Sequence, residues 1–179
     1  IHIMWYVPCI MHLHNRVVEK IIVMLLKKGY SKRGSREEKE LYICTIEHTM
    51  NSGVLGSQYN EVHWKVPLNE AKTDITGTIS LTDMQSKKVI TFIHLLLADI
   101  FDDTVPDWES QLEEWTSVID LFSKLNKLIC ARVEFTDDMI EEFQSVADAF
   151  FLKWVSINGL AGVTNYIHML GSGHIKEFL

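Results

Sequence analysis

The strongest constraint on the fold is a set of long apolar stripes that repeat every three or four residues. The longest stripe consists of Trp108, Leu112, Trp115, Ile119, Phe122, Leu125 and Ile129. Because an α-helix turns once every 3.6 residues, this spacing places these side chains on one helix face. A second stripe consists of Ile140, Phe143, Ala147, Phe150, Phe151 and Trp154. Such stripes are typical of buried helix faces, so the sequence predicts a mainly α-helical protein.

Other helices are marked by their end signals. Apolar residues recur at three and four over residues 10–28, and Gly29 supplies a stop. Ser35 can cap a second helix, which we expect to end near residue 51 because Ser52-Gly53 breaks the pattern. The sequence thus predicts two helices before the middle of the chain.

The later helices begin with comparable signals. Thr82, with Gln85 three residues on, has the pattern of a capping box for a helix that runs to about Phe101. Pro106 fits the first position of the helix that carries the tryptophan stripe. Thr136 caps the next helix. These signals predict three more helices.

The segment 54–79 is interrupted by glycine and proline and predicts a long irregular stretch or a short strand. With 47% apolar residues, 179 residues are enough for one well-buried domain. We therefore expect a single domain over residues 1–179, built as an irregular bundle of about five to seven helices. Cys9, Cys44 and Cys130 lie in apolar stretches and are expected to be small core residues with reduced thiols.

Charge is distributed unevenly along the sequence. Residues 1–88 hold 12 Lys and Arg against 9 Asp and Glu, whereas residues 89–179 hold 5 against 15. The positive charges include one connector cluster, formed by Lys27, Lys28, Lys32, Arg33 and Arg36. Such a cluster can bind DNA phosphates, and the alternative is a solvated loop between two helices. Any DNA would face the first half of the chain.

The apolar residues 1–10 lack a basic leader and a cleavage site, and they are too short to span a bilayer, so we expect neither a signal peptide nor a membrane anchor. Reduced cysteines and the missing leader favour an intracellular protein. Residue 1 is Ile and a helical pattern still runs at Leu179, so we expect the chain to be part of a longer protein.

Two histidines near the end of the chain carry the main hint of chemistry. His168 and His174 are six residues apart, with Gly171-Ser172-Gly173 between them. On one unbroken helix this spacing turns the side chains apart, but a glycine-rich reversal can bring both rings together. Two imidazoles about 2.0–2.1 Å from one ion form half of a zinc site. The spacing of six is one residue longer than the usual window for a zinc-binding His pair, so by itself it makes His168 and His174 candidates for zinc ligands and no more.

The segment 163–177, with Thr164-Asn165-Tyr166-Ile167-His168 followed by Gly173-His174, resembles the catalytic subunit of the V(D)J recombinase and its Transib-type transposase relatives. A second resemblance lies at 10–16, Ile-Met-His-Leu-His-Asn-Arg, which is similar to the segment that enters the family's helical insertion. The two matches occur in the family's order and cover about thirty residues of the chain.

The resemblance implies the helical insertion of an RNase H-like transposase core, from a nuclear protein that acts on DNA. It makes His168 and His174 structural zinc ligands and places His12 near the active site. The other zinc ligands and the catalytic carboxylates, which hold divalent metals in a full-length parent, would lie outside residues 1–179. The chain by itself would therefore not be a catalyst. Family members pair, which implies a homodimer.

Two other interpretations remain open. One is a non-catalytic helical interaction module, derived from a transposon, whose binding face is formed by the acidic helices 106–130 and 137–157. The other is a helical scaffold without a ligand. For His168 the alternative to zinc is a half-buried helix residue, and for His174 a surface residue after a turn. His14 and Arg16 are expected to point toward solvent or DNA.

Overall fold

The computed structural model describes residues 10–56, 64–71, 73–77, 79–103, 105–129 and 136–171. Within these residues the protein is all α, with no strand, and the predicted fold class is confirmed. The six helices are α1 (Ile10–Ser31), α2 (Arg36–His48), α3 (Asp83–Ile100), α4 (Trp108–Ile129), α5 (Asp137–Asn158) and α6 (Asn165–Gly171).

The chain divides into two compact units, each described separately below. The central unit comprises residues 18–116, and the terminal unit comprises residues 1–17 together with 117–179. The division falls within α1 and within α4, so each of these helices has residues in both units. The single domain expected from the sequence stays a prediction.

In the central unit, α1 is the core helix. None of its residues from Val18 to Tyr30 is exposed. A helix that is apolar on nearly every side is stable only when other elements cover it. Its fully buried side chains include Ile21, Ile22, Leu25 and Leu26. The buried carboxylate of Glu19 accepts a hydrogen bond from the backbone N–H of Leu81 at 3.0 Å, which ties the segment before α3 to α1.

The predicted helix caps are confirmed. Ser35 and Glu38 form a capping box at the start of α2. Thr82 and Gln85 form the equivalent box at the start of α3. The Thr136 side chain accepts a hydrogen bond from the backbone of Met139 at the start of α5. In each case the cap satisfies a backbone N–H that the helix itself leaves without a partner.

Three predicted helix ends differ from the structure. Gly29 does not stop α1, which continues to Ser31. Gly29 is packed against Tyr42 and Ile100, where a side chain would not fit, so glycine is needed here for close packing. The helix from Ser35 does not end before residue 52, since α2 continues as a π-helical turn, Thr49–Val54. Pro106 lies in a turn two residues before α4 begins.

The described parts of segment 54–79 are irregular, as predicted. Leu68 and Ile75 form an isolated antiparallel bridge, so a short strand is not formed here. Asn69 closes the turn between them by accepting the backbone N–H of Thr73 at 2.8 Å. The buried side chains of Val66 and Ile75 anchor this segment to the central unit.

The terminal unit is built around stacked aromatic rings. His14 stacks on Phe122 at 5.7 Å, Phe122 lies 5.8 Å from Phe150, and Phe150 lies 6.0 Å from Trp154. The indole N–H of Trp154 donates to the carbonyl oxygen of Gly162 at 3.1 Å, which holds the turn after α5 against that helix. This turn leads into α6.

No helix in the described part of the chain is long and apolar enough to cross a bilayer. The predicted core position of Cys44 is wrong, because Cys44 is exposed on α2. Cys9 and Cys130 lie outside the described residues.

Candidate functional site: an acidic helix face

The segment that carries the first resemblance forms the start of α6. The Thr164 hydroxyl accepts the backbone N–H of Ile167 at 3.4 Å, and the Thr164 carbonyl accepts that of His168 at 2.9 Å. These bonds cap a short helix on which the side chain of His168 is exposed. His174 lies outside the described residues, so the convergence of the two imidazoles stays a prediction. Among the residues that the structure describes, no three His, Cys, Asp or Glu side chains come together as a metal site.

The predicted reversal at Gly171 is wrong. Gly171 is the last residue of α6 and does not have a positive backbone φ. It is buried against α5, and a Cβ atom added here would lie 2.3 Å from Cβ of Phe151. Glycine is thus required because two helices approach closely. Gly173 lies outside the described residues.

The histidines of the second resemblance differ in their surroundings. His12 is exposed at the start of α1, and its role near an active site stays a prediction. The expectation that His14 points toward solvent is wrong, because His14 is buried and stacked on Phe122. Arg16 is exposed, as expected.

The connector cluster is not a uniform basic surface. Lys27 and Lys28 are half-buried in the last turns of α1, whereas Lys32 and Arg36 are exposed. The exposed guanidinium of Arg36 pairs with Glu40 at 2.8 Å, one turn along α2. Lysine and arginine at such positions can still reach a phosphate, and their role in DNA binding stays a prediction.

Arg33, the fifth member of the cluster, has a structural role. Its guanidinium donates to the carbonyl oxygens of Gly29 and Ile100, both at 3.1 Å, and to Asp102 at 2.8 Å. It also lies 4.7 Å above the ring of Tyr42. Its side chain is only 6% exposed, and its guanidinium is already bonded within the protein, so it is unsuited to a phosphate contact. This geometry speaks against a DNA contact by Arg33.

Tyr42 completes this buried cluster. Its hydroxyl donates to the carbonyl oxygen of Leu26 at 3.2 Å. Burial raises the pKa of Tyr42 well above its ordinary value of 10.0, because the charged phenolate would lose its hydration. The cluster therefore fixes the connector between α1 and α2 and supplies no reactive group at neutral pH.

A more distinctive surface lies on α5. The buried side of this helix carries Phe143, Ala147, Phe150 and Trp154. The opposite side is exposed and carries what we call the acidic face, which consists of Asp137, Asp138, Glu141, Glu142, Asp148 and Leu152.

Leu152 is the unusual member of the acidic face. Its side chain is 68% exposed, whereas the apolar residues on the other side of α5 are covered. It lies one turn after Asp148 and eleven residues after Glu141, which places all three on one side of the helix. The sequence contained this signal, because position 152 falls outside the apolar stripe.

Negative charge in the first turn of α5 also has an explanation within the helix itself. Asp137 and Asp138 lie where the positive end of the helix dipole stabilises carboxylates. This reason does not extend to Asp148 or to Leu152, which lie three and four turns further on. The C-terminal half of the acidic face therefore needs another explanation.

Searches against protein-family models, curated proteins and solved structures gave no match for this chain. The function must therefore be argued from the residues themselves.

Proposed function

We propose that this chain is a non-catalytic helical interaction module whose acidic face on α5 binds a basic, amphipathic segment of a partner protein. The observation that carries the proposal is the exposure of Leu152 beside a row of carboxylates. An exposed leucine gains about 1.5–3 kcal/mol when a partner covers it completely. The carboxylates add long-range attraction for cations and select a basic partner.

A synthetic amphipathic peptide of Lys and Leu is a suitable probe. Its binding can be followed by NMR on the chain with labelled leucine methyl groups. We expect saturable binding that shifts the Leu152 methyl signals, and we expect Leu152→Ala to weaken binding about tenfold or more. A Lys and Ser peptide of equal charge should bind much more weakly, because it has no apolar side.

Leu41 offers a matched control. It is 69% exposed on α2, against 68% for Leu152 on α5. Leu41→Ala should leave the affinity for the Lys and Leu peptide unchanged. The proposal fails if the two alanine variants weaken binding equally, or if the Lys and Ser peptide binds as tightly as the amphipathic one.

A second candidate is the zinc-containing helical insertion of a Transib-type transposase that acts on DNA in the nucleus as a dimer. The two sequence matches around His12 and His168, in the family's order, favour it. Because half of the zinc ligands would lie outside residues 1–179, metal analysis of a longer protein that extends this chain on both sides tests this candidate. The candidate predicts bound zinc that is lost in His168→Ala and His174→Ala and kept in His94→Ala, which changes an exposed histidine of α3. Equal metal content in all variants would reject it.

A further inference from the structure

One segment of the central unit is bound through its backbone by side chains of α2 and of the π-helical turn that follows it. Residues 64–68, Trp-Lys-Val-Pro-Leu, form a non-helical stretch that we call the strap. The backbone N–H of Trp64 donates to the Asn51 side-chain oxygen at 2.8 Å, and the Asn51 side-chain nitrogen donates to the Trp64 carbonyl at 2.9 Å. One amide side chain thus satisfies both backbone groups of one residue, as a neighbouring strand does in a sheet.

A second contact fixes the direction of the strap. The backbone N–H of Val66 donates to the Glu47 carboxylate at 2.9 Å. Asn51 follows Glu47 by four residues along the helix, whereas its partner Trp64 precedes Val66 by two residues along the strap. The strap therefore runs antiparallel to α2, and the side chains of Asn51 and Glu47 bond the backbone of Trp64 and Val66, respectively.

The side chains of the strap add little sequence selectivity. Val66 is 5% exposed and is the buried anchor, whereas Trp64, Pro67 and Leu68 are half-buried. Pro67 has no N–H, and the two helix side chains require donors only from Trp64 and Val66. The helix surface around Glu47 and Asn51, which we call the track, thus fits any extended segment with an aliphatic residue at the Val66 position and a free N–H there.

The track has open space at both ends of the strap. A cleft of about 370 Å³ beside Trp64 is lined by His48 and Ser52. A cleft of about 470 Å³ beside Leu68 is lined by Lys39 and Ile43. A longer peptide could extend from the track into either cleft. The π-helical turn that supplies Asn51 is also a rare local geometry, and such turns occur frequently at functional sites.

We propose that the track is a binding site for extended peptides and that the strap occupies it in cis as a displaceable internal ligand. The partner is an extended segment with an aliphatic residue that donates its backbone N–H to Glu47. This proposal concerns the central unit and does not depend on the function proposed for α5.

The test uses a fluorescent peptide of residues 64–69 and measures its binding by anisotropy. In Val66→Asp the buried carboxylate should release the strap, and we expect this variant to bind the peptide about tenfold or more tightly than the natural chain, in which the strap competes at high effective concentration. Adding Asn51→Leu should abolish the gain. A peptide with N-methylvaline at the position of Val66 should bind poorly, because it keeps the side chain and loses the donor.

Hydrogen exchange in the natural chain gives an answer that does not depend on a variant. If the strap detaches locally, the amides of Trp64 and Val66 should exchange at least about a hundredfold faster than those of Ile21 and Leu25 in the core of α1. Equal exchange rates would overturn the proposal, because the strap would then open only when the whole unit unfolds. A folded Val66→Asp variant that does not bind the peptide, or one that binds it regardless of Asn51→Leu, would also overturn it.

Discussion

Arg33 and Arg36 lie three residues apart in one basic connector, yet their surroundings differ completely. The side chain of Arg33 is 6% exposed and bonded to Asp102 and to two carbonyl oxygens, whereas that of Arg36 is 87% exposed. Composition and spacing could not separate them, because two of the three hydrogen-bond partners of Arg33, Ile100 and Asp102, lie 67 and 69 residues away in the sequence. The sequence therefore predicted a basic cluster and missed a buried ion pair.

This difference predicts unequal losses of stability. Arg33→Ala leaves the carbonyl oxygen of Ile100 and the carboxylate of Asp102 without their charged donor, and we expect a loss of about 2–4 kcal/mol in the free energy of unfolding. Arg36→Ala removes only an exposed pair with Glu40 and should leave the free energy of unfolding almost unchanged. Urea denaturation of both variants measures these values. Similar losses in the two variants would contradict the structural role of Arg33.

Gly171 gives a second prediction at the residue scale. A Cβ at this position meets Cβ of Phe151 at 2.3 Å, so α6 must move away from α5 to accommodate it. We expect Gly171→Ala to lower the free energy of unfolding by about 1–3 kcal/mol, the usual cost of overpacking. Gly77→Ala is the control, since no atom lies within 4 Å of its added Cβ. If the two variants are equally stable in urea, close packing is not the reason for glycine at 171.

Among the helices, local signals were the reliable ones. The capping residues Ser35, Thr82 and Thr136 were all identified from sequence, because a cap needs only residues within one turn. Features of helix ends that depend on distant residues could not be identified in this way. Gly29 lies inside α1 and leaves room for Tyr42 and Ile100, and no local pattern reveals that contact.

The candidate sites show the same contrast between features that lie within one helix and features that depend on distant residues. The periodicity of α5 identified an exposed acidic side, which needed only the positions of the carboxylates within one helix. The strap could not be predicted, because nothing in the sequence pairs Asn51 with Trp64 or Glu47 with Val66. The geometry of His168 and His174 also depends on residues beyond a single helix, and it stays a prediction.

The capping box of α2 predicts a pH dependence. Hydrogen bonds from the backbone N–H groups of Ser35 and Gly34 lower the pKa of Glu38 below its ordinary value of 4.5. A carboxylate whose pKa is lowered by folding stabilises the folded state above its unfolded pKa, and this contribution is lost as pH falls through the folded pKa. The stabilisation by Glu38 should thus be complete above about pH 4.5 and disappear below it.

Glu38→Gln tests this prediction and has a natural counterpart in the same chain. The capping box of α3 uses Gln85, which does not titrate. We expect the difference in unfolding free energy between the natural chain and Glu38→Gln to shrink as pH falls from 6 toward 3, as measured by urea denaturation at each pH. A difference that is constant over this range would show that Glu38 acts only through its shape.

Over the whole molecule, the charge balance of the two structural units differs from that of the two halves of the sequence. The central unit holds 11 Lys and Arg against 16 Asp and Glu, and the terminal unit holds 6 against 8. The unit that contains the connector cluster is therefore net negative, because residues 89–116 add seven Asp and Glu and no Lys or Arg. Net attraction to DNA is thus weaker than the basic first half of the sequence suggests, and a DNA contact would have to be local to the connector cluster.

The two units raise the question of whether the chain unfolds in one step. The division falls inside α1, at residues 17–18, and inside α4, at residues 116–117. Unfolding of either unit would therefore remove helix that the other unit uses. Such shared helices favour cooperative unfolding, and we expect a single transition, in agreement with the single domain predicted from the sequence.

Two tryptophans allow a direct measurement of this cooperativity. Trp115 in the central unit is 1% exposed and Trp154 in the terminal unit is 0% exposed, so both report the loss of a buried environment. With fluorotryptophan labelling, the fluorine signals of both residues can be followed in the same urea titration after assignment by Trp→Phe substitution. We expect coincident midpoints and slopes. Separate midpoints would mean that α1 and α4 break at the division before the second unit unfolds, and the chain would then contain two domains.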